Sequence, residues 1–357
     1  MKIFYAVQAT GNGHISRAMT LLPFLNKYGS VDIFLSGDNS HLDLNGPVKY
    51  RSRGISLYFN NKGGLNYRKT ASNIQFSEIS RDIRKLPVEK YDLVINDFDL
   101  ITSLACRKKK VPFVHFGHQA SFLSNEVPRP RSKKLYGEWL LKNYARSPYT
   151  TGLHFERYSP FIFEPVIKQN ILESLPEDHG HITVYLPAYK LSFLIQLFST
   201  LPGYRFEIFT PEKRSVETSG NCVLNPVSNG GFNKSFINCH GIICGAGFET
   251  PAEAIHLGKK ILAIPIRGQY EQQCNAAALE TMNATVLYSL TSQDRQTIQK
   301  WLLEENKCVS KDYSRSAVLP FPTFLLISII IPPAPTLLAC QQHKKATPPR
   351  PPKEWLT

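Results

Sequence analysis

The stretch that decides the fold runs from Gly245 to Ala276 and reads GAGFETPAEAIHLGKKILAIPIRGQYEQQCNA. An apolar strand, GIIC, leads into its small-residue turn, and a helix with Pro251 in its first turn follows. A second apolar strand, KKILAIPI, leads into a cluster of carboxylate and amide side chains. Parallel strands bind ligands outside their carboxyl ends, so the turn and the polar cluster are predicted to form one binding site.

The parts of this stretch suit successive portions of a nucleotide-sugar. Small residues at Gly245, Ala246 and Gly247 let backbone N–H groups approach a phosphate. The helix that begins near Thr250 adds the positive end of its dipole, and Glu253 lies one turn further on, within reach of ribose hydroxyls. Groups that bind neutral hydroxyls follow the second strand, at Glu271, Gln272 and Asn275.

Strands alternate with helices on both sides of this stretch. KIFYAVQ, VDIFLSG and YDLVIND are predicted strands near the amino terminus, and the alternation restarts after about residue 155 with HITVYLP. The sequence therefore predicts an α/β protein with two Rossmann-like parallel-sheet domains that face a cleft. We expect an acceptor-binding domain at 1–155 and a nucleotide-sugar-binding domain at 156–314.

The Gly245–Ala276 stretch resembles the donor-binding signature of GT-B glycosyltransferases, in particular the UDP-glycosyltransferases and the N-acetylglucosaminyltransferase of peptidoglycan synthesis. The shared pattern is a small-residue triplet, Glu-Ala, Gly, an apolar strand ending in Pro, and an acidic-Gln-x-x-Asn group. It falls here on Gly245–Gly247, Glu253–Ala254, Gly258, Ile261–Pro265 and Glu271–Asn275.

The resemblance implies a GT-B fold and a nucleotide-sugar donor, with a UDP-sugar the first expectation. It also implies that Glu253 holds the ribose and that Glu271 and Gln272 contact the donor sugar. Catalysis in such enzymes needs no metal, so neither a metal nor another cofactor is expected here.

The amino-terminal half carries a second, shorter likeness. GNGHISRA resembles the glycine-rich turn of the same enzymes, with Gly11, Asn12 and Gly13 forming an acceptor-side loop before His14. The resemblance implies that His14 is the base that deprotonates the acceptor hydroxyl. A polar residue that caps the helix is the alternative interpretation of His14. The spacing Gly11-x-Gly13-x-x-Ser16 nearly matches the fingerprint of dinucleotide-binding proteins, but the Gly245–Ala276 stretch favours a nucleotide-sugar.

A general base needs a partner that orients its imidazole. Asp97 and Asp99, in the segment NDFD, end a predicted strand at the same sheet edge as His14. Either carboxylate can orient His14, and the alternative is that both cap the helix that follows.

Charge and cysteine content restrict the partners and the compartment. The chain has a formal charge of +14, which favours anionic ligands, and its seven cysteines form no CxxC pair, which is typical of reduced thiols in a cytoplasm. No apolar run reaches the length of a spanning helix. The basic segment 129–146 includes Tyr136, Trp139 and Tyr144; it suits anionic lipid headgroups, nucleic acid or a solvated helix face.

Residues 315–357 differ in composition from the rest of the chain. They are rich in proline and include an apolar run, from Thr323 to Ile331, that is too short to span a membrane. A disordered tail, a frameshifted end and a weak membrane anchor are the interpretations that this composition leaves open.

Together these observations predict an inverting glycosyltransferase that moves a sugar from a nucleotide-sugar to an acceptor hydroxyl, with His14 as the base. The acceptor is expected to be lipid-linked or a glycan, and the enzyme to be cytoplasmic, at the inner face of a membrane. No nucleic acid partner is expected. The alternative class is a non-catalytic protein that binds a nucleotide-sugar or nucleic acid, because a basic surface suits either.

Overall fold

The computed structural model describes residues 1–9, 11–37, 44, 46–55, 64 and 67–314. These residues form two seven-stranded sheets, one in each half of the chain. We refer to the part that carries the first sheet as the N-terminal half and to the part that carries the second as the C-terminal half.

The first sheet is parallel throughout, with the strand order β3-β2-β1-β4-β5-β6-β7. Its central strands are buried on both faces, as parallel strands covered by helices must be. The strands are β1 (Lys2–Gln8), β2 (Ser30–Ser36), β3 (Val48–Ser52), β4 (Leu93–Asp97), β5 (Val114–Gly117), β6 (Tyr149–Leu153) and β7 (Ile162–Phe163).

The second sheet has the order β10-β11-β9-β8-β12-β13-β14 and is parallel except for the edge pair β10–β11. The predicted strands HITVYLP, GIICGAG and KKILAIPI lie side by side at its centre. The strands are β8 (His181–Tyr185), β9 (Arg205–Thr210), β10 (Glu217–Ser219), β11 (Cys222–Pro226), β12 (Gly241–Gly245), β13 (Lys260–Ile264) and β14 (Thr285–Val286).

Helices connect the strands and cover the sheets. In the first helix Ile15, Ala18 and Leu22 are buried at helical spacing, which turns the apolar side of the helix to the core. The helices are α1 (Asn12–Leu25), α2 (Tyr67–Ser72), α3 (Phe76–Lys85), α4 (Leu100–Lys109), α5 (Leu135–Asn143), α6 (Gln169–Leu172), α7 (Leu191–Phe198), α8 (Asn229–Ile237), α9 (Glu249–His256), α10 (Tyr270–Thr281) and α11 (Arg295–Leu303). Short 3₁₀ turns lie at Val88–Lys90, His118–Leu123 and Ser292–Asp294.

The architecture is the predicted one: an α/β protein with two parallel-dominated sheets and a cleft between them. The first sheet extends past residue 155, because β7 pairs with β6. The division of the chain at 155/156 therefore stays a prediction. The proline-rich tail, residues 315–357, lies outside the described residues.

The end of the described chain returns to the boundary between the halves. Tyr313 is buried, and its hydroxyl donates to the carbonyl of Phe155 at 2.8 Å. The Lys311 ammonium lies 2.5 Å from a carboxylate oxygen of Glu156. The last described residues thus pack against the connection between β6 and β7, at the edge of the first sheet.

Candidate active site

The first candidate group lies at the carboxyl edge of the first sheet. In the register of β1 and β4, Val7 stands opposite Asp97, so the start of α1 and the end of β4 lie side by side. His14 Nδ1 is 2.8 Å from Asp97 Oδ1. The His14 side chain is 13% exposed and that of Asp97 is fully buried, so the ring meets the cleft while its partner lies beneath it.

Arg17 completes this group from beneath. It follows His14 by one helical turn, and its Nε and Nη2 donate to the two oxygens of Asp97 at 3.0 and 2.7 Å. Burial alone raises the pKa of Asp97, but the charges and hydrogen bonds of Arg17 and His14 outweigh it and hold that pKa well below its usual range. Asp97 is therefore an anion, and the tautomer of His14 that carries its hydrogen on Nδ1 donates to it and has its lone pair on Nε2. Arg17 Nη2 also lies 3.0 Å from Nδ1.

Asp99 occupies a different place from Asp97. Phe98, between them, adopts a φ of 57°, a left-handed conformation that turns the chain between the two carboxylates. Asp99 caps α4 by accepting from the backbone N–H of Thr102 at 2.6 Å. The structure thus pairs Asp97 with His14 and gives Asp99 the capping position.

The donor motif forms the opposite wall of the cleft. β12 ends at Gly245, Ala246 is buried, and α9 begins at Glu249 with Thr250 in its first turn. A Cβ added at Gly247 would meet no atom within 4 Å, so the space beside this turn is open. An open small-residue turn before a helix N-terminus is the arrangement that accepts a phosphate.

A pocket between the halves joins the two walls. The start of α1 supplies Asn12, and the end of β8 supplies Tyr185, whose hydroxyl accepts from the Asn12 amide at 3.0 Å. The residues that line the pocket are Asn12, Gly13, Ser16, Lys168, Tyr185, Val227, Ser228, Phe232, Glu249 and Thr250.

Glu253 lies beneath this pocket rather than in it. It is 2% exposed, and Lys168 Nζ is 3.0 Å from its Oε2. Burial raises the pKa of Glu253, and the charge of Lys168 offsets this only in part. The carboxylate predicted to hold a ribose is thus engaged by Lys168, which also contacts the Asn233 amide oxygen at 3.2 Å.

The members of the acidic-Gln-x-x-Asn group lie in different places, with Glu271 at the cleft and Asn275 in the core. Asn275 is buried; its Oδ1 is 2.7 Å from His118 Nε2, and its Nδ2 donates to the Ala246 carbonyl at 3.1 Å. Gln272 accepts from the backbone N–H of Ile266 at 2.9 Å. The Glu271 side chain points to the N-terminal half, where it contacts Gln119.

Gln119 connects the two walls of the cleft. Its Nε2 is 3.0 Å from Glu271 Oε1 and 3.3 Å from Nε2 of His14. On the other side of the group Arg17 forms an ion pair with Glu249 in the first turn of α9. A Cβ at Gly13 would meet the Glu249 carboxylate, so a larger residue there would displace the Glu249 side chain from its place beside Arg17. His14 and Asp97 are therefore linked to the first turns of both donor-motif helices.

Sequence patterns alone did not identify Arg17, Gln119, Lys168 or Glu249 as members of the site. Arg17 had a signal, because residues three positions apart share a helix face and it follows His14 at that spacing. Lys168 had none, since its partner Glu253 is 85 residues away in the chain.

The basic segment 129–146 presents a surface around α5. Leu135, Tyr136 and Trp139 are 86%, 71% and 60% exposed, and the rings of Tyr136 and Trp139 stack with their centroids 6.4 Å apart. Arg131, Lys133 and Lys134 are exposed beside them. We refer to these six residues as the α5 surface. Among the described residues, no helix is long and apolar enough to cross a membrane.

Across the described ranges of the chain, no three His, Cys, Asp or Glu side chains converge as metal ligands do. Cys239 and Cys244, which lie near His240 in the sequence, are buried free thiols, and His240 contacts Asp178 at 2.8 Å.

The protein has two parallel-dominated sheets that face a cleft, with a polar group on one wall and a phosphate-type turn on the other. This is the arrangement of a GT-B glycosyltransferase. The model of the family described as Glycosyl transferase family 1 matches residues 1–304, and the chain belongs to this family. The predicted resemblance and enzyme class are thereby confirmed. A comparison with curated protein sequences finds no match.

Solved structures share the fold over nearly the whole chain. One is the spinosyn forosaminyltransferase SpnP, at 13% identity, with 94% of this chain and 96% of that chain covered and a TM-score of 0.55. Another is UGT2 of Phytolacca americana, complexed with UDP-2fluoro-glucose and pterostilbene, at 14% identity, 86% and 90% coverage and a TM-score of 0.54. A third is LpCGTa in complex with UDP, at 13% identity, 92% and 94% coverage and a TM-score of 0.54.

Proposed function

We propose that this glycosyltransferase moves a sugar from a nucleotide-sugar, in the first place a UDP-sugar, to an acceptor hydroxyl, with His14 as general base. The observation that carries the proposal is the contact of 2.8 Å between His14 and a buried, ionised Asp97. This contact favours the tautomer with the hydrogen on Nδ1, in which the Nε2 lone pair can take a proton. Asp97 is the orienting carboxylate in this proposal, and Asp99 a helix cap.

The proposed reaction is a single displacement. The acceptor oxygen attacks the anomeric carbon while His14 Nε2 takes its proton, and the bond from that carbon to the phosphate oxygen breaks. The nucleoside diphosphate leaves with the electron pair. One displacement inverts the anomeric centre. The N-terminus of α9, at the end of the small-residue turn, would stabilise the charge that develops on the departing diphosphate.

The donor is proposed to lie across the pocket between the halves. Its diphosphate would bind at the turn Gly245–Gly247 and at Thr250, and its ribose would approach Glu253. Since Lys168 forms an ion pair with that carboxylate, the ribose hydroxyls must share Glu253 with Lys168 or displace it. UDP is the first candidate nucleotide because it occurs in the complexes of LpCGTa and, as UDP-2fluoro-glucose, of UGT2.

The experiment is a comparison of His14→Ala with the wild type, after a thermal-shift screen of nucleotides and nucleotide-sugars has identified a donor. A positioned base contributes about 10²–10⁴-fold to a rate, so transfer is expected to fall by that factor. Donor affinity is expected to stay within about threefold, because the proposed contacts of the diphosphate and the ribose, at Gly245–Gly247, Thr250 and Glu253, do not include the His14 side chain.

The matched control is His240→Ala, since this exposed histidine contacts Asp178 away from the cleft. It is expected to keep wild-type transfer. Full activity of His14→Ala would remove His14 as the base. A screen in which nucleotides give no shift, while DNA or RNA binds with steep salt dependence, would favour the non-catalytic alternative.

The α5 surface supports a more specific proposal about the acceptor. Apolar and aromatic side chains flanked by Lys and Arg are typical of helices that lie at the surface of an anionic membrane. We therefore propose that the enzyme works at the inner, cytoplasmic face of a membrane, on an acceptor that is lipid-linked or a membrane-associated glycan.

A further inference from the structure

Gln119 contacts Nε2 of His14, the nitrogen that is proposed to accept the proton. It lies in the 3₁₀ turn His118–Leu123, directly after β5, and is 3% exposed. The turn is fixed to the C-terminal half, because His118 stacks on Phe248 with centroids 4.0 Å apart and contacts Asn275. Gln119 is thereby held at the centre of the cleft.

The direction of its hydrogen bonds follows from its neighbours. The Gln119 Nε2 is 3.0 Å from the carboxylate of Glu271, which only accepts hydrogen bonds when ionised. The opposite amide orientation would set two oxygens against each other, so the NH₂ group faces Glu271. That same NH₂ group is 3.3 Å from His14 Nε2, which carries the lone pair because Nδ1 donates to Asp97. Gln119 therefore donates to the nitrogen that is proposed to take the proton.

The other end of the amide is unsatisfied. Gln119 Oε1 is buried and has no hydrogen-bond partner among the residues that the structure describes. A buried carbonyl without a donor is costly, which indicates that a donor arrives with a ligand. Hydroxyl groups of a sugar or of an acceptor are donors of this kind.

We propose that Gln119 is a specificity-determining residue that keeps water from using the base. Without acceptor, its NH₂ group occupies the lone pair of His14 Nε2. An acceptor that is bound elsewhere in the cleft brings its hydroxyl to that nitrogen and displaces the amide. A free water molecule lacks those other contacts and competes poorly. This inference rests on the proposed function and deepens it.

The side reaction that Gln119 would suppress is donor hydrolysis. Water would attack the anomeric carbon, His14 would take one of its protons, and the bond to the diphosphate would break. The products are the free sugar and the nucleoside diphosphate.

The test measures nucleoside diphosphate release from UDP-glucose, UDP-galactose and UDP-N-acetylglucosamine without acceptor. Two variants are compared with the wild type: Gln119→Ala, which removes the amide and opens space, and Gln119→Met, which removes the amide and keeps the volume. Both are expected to raise hydrolysis by about 2- to 10-fold, the effect of one neutral hydrogen bond. The added hydrolysis should vanish in His14→Ala/Gln119→Met, because it depends on the same base.

Calorimetry with UDP on each variant separates the outcomes. Unchanged hydrolysis in both variants, with UDP binding intact, would overturn the inference and leave the proposed function standing. A rise in Gln119→Ala alone would also overturn it, since it would show that the side chain fills space and nothing more. If neither UDP nor any of the three UDP-sugars binds to the wild type, the proposed function as a UDP-sugar transferase is itself overturned.

Discussion

At the scale of single residues, Asp97 and Asp99 contact different groups although only Phe98 separates them. Asp97→Asn should lower kcat by at least tenfold, because an amide can present its NH₂ group to His14 and disturb the ring orientation. Asp99→Ala should leave kcat within about twofold and lower the free energy of unfolding by about 0.5–2 kcal/mol, the contribution of a helix cap. Initial rates and urea denaturation of both variants check this pair. Equal losses of kcat would contradict the assignment.

The low pKa of Asp97 predicts a dependence of stability on pH. In the unfolded chain this carboxyl takes up a proton below about pH 4, whereas in the folded protein Arg17 and His14 keep it ionised to lower pH. Acid therefore favours the unfolded state: the stabilisation by Asp97 is full above about pH 5 and is lost as the pH falls below about 4 towards the folded pKa. As the pH is lowered from about 6 to about 3, the melting temperature of Asp97→Asn should fall less steeply than that of the wild type. Parallel slopes would contradict the prediction.

Glu253 offers a test of the donor site. Glu253→Gln keeps the shape of the side chain and removes its charge, so UDP binding measured by calorimetry should weaken by about 1.5–3 kcal/mol, the range for charge-assisted hydrogen bonds. Lys168, which is 19% exposed, can turn to water when its partner is neutral, and stability should change little. The exposed Glu280, replaced in Glu280→Gln, is the control. Unaltered affinity in Glu253→Gln would exclude Glu253 from the site.

The sequence predicted those site residues whose chemical type and whose position at the end of a strand or glycine turn both point to the site. His14 and Asp97 could be predicted because a glycine turn and a strand end bring each to the same sheet edge. Gln119 and Glu271 could not be paired from the sequence, since their contact joins two halves whose relative placement depends on packing across the cleft. Glu253 and Lys168 show the same limit: the pattern marked the carboxylate, and the cation arrives from the joining segment.

At the scale of elements, long apolar strands were predictable and short ones were not. KIFYAVQ and KKILAIPI correspond to β1 and β13 because a fully buried strand needs a continuous apolar run. β7 consists of Ile162 and Phe163 and exists through its pairing with β6. A segment that short carries no hydrophobic period of its own, so the sequence alone does not reveal it.

The α5 helix gives a prediction about membrane binding. The triple variant Leu135→Ser/Tyr136→Ser/Trp139→Ser should bind vesicles of anionic phospholipid at least tenfold more weakly than the wild type, because three apolar groups would no longer enter the interface. Wild-type binding should weaken as salt is raised, since basic residues contribute to it. Vesicle sedimentation measures both effects.

Phe76→Ser is the matched control, because Phe76 is 74% exposed on α3, outside the α5 surface. It is expected to sediment like the wild type. Equal loss in the control and the triple variant, or no binding by the wild type, would contradict a membrane role for α5.

At the scale of the whole molecule, the described chain ends in a packed segment. Truncation after Ser314 should leave the melting temperature and UDP binding unchanged. Truncation after Ser310 removes the buried Tyr313 and the Lys311–Glu156 pair, and should cost about 3 kcal/mol or more of unfolding free energy, as the loss of a buried aromatic side chain does. Thermal melts of the two truncated proteins check the prediction. A collapse of the longer protein would show that residues 315–357 contribute to the fold.

The contact of Tyr313 with Phe155 also bears on how the cleft can open. The chain passes from the first sheet to the second after Phe163, and residues 311–313 connect the halves again beside β6, where Tyr313 contacts Phe155 and His256. Two connections that lie close together can act as a hinge, about which the halves rotate when the contacts across the cleft, such as His118 on Phe248, separate. Such a swing would part Arg17 from Glu249 and Gln119 from Glu271 together, since both contacts span the cleft. The nucleotide would then leave while these contacts are open, and they would form again as the cleft closes. The frequency of this movement would set an upper limit on turnover.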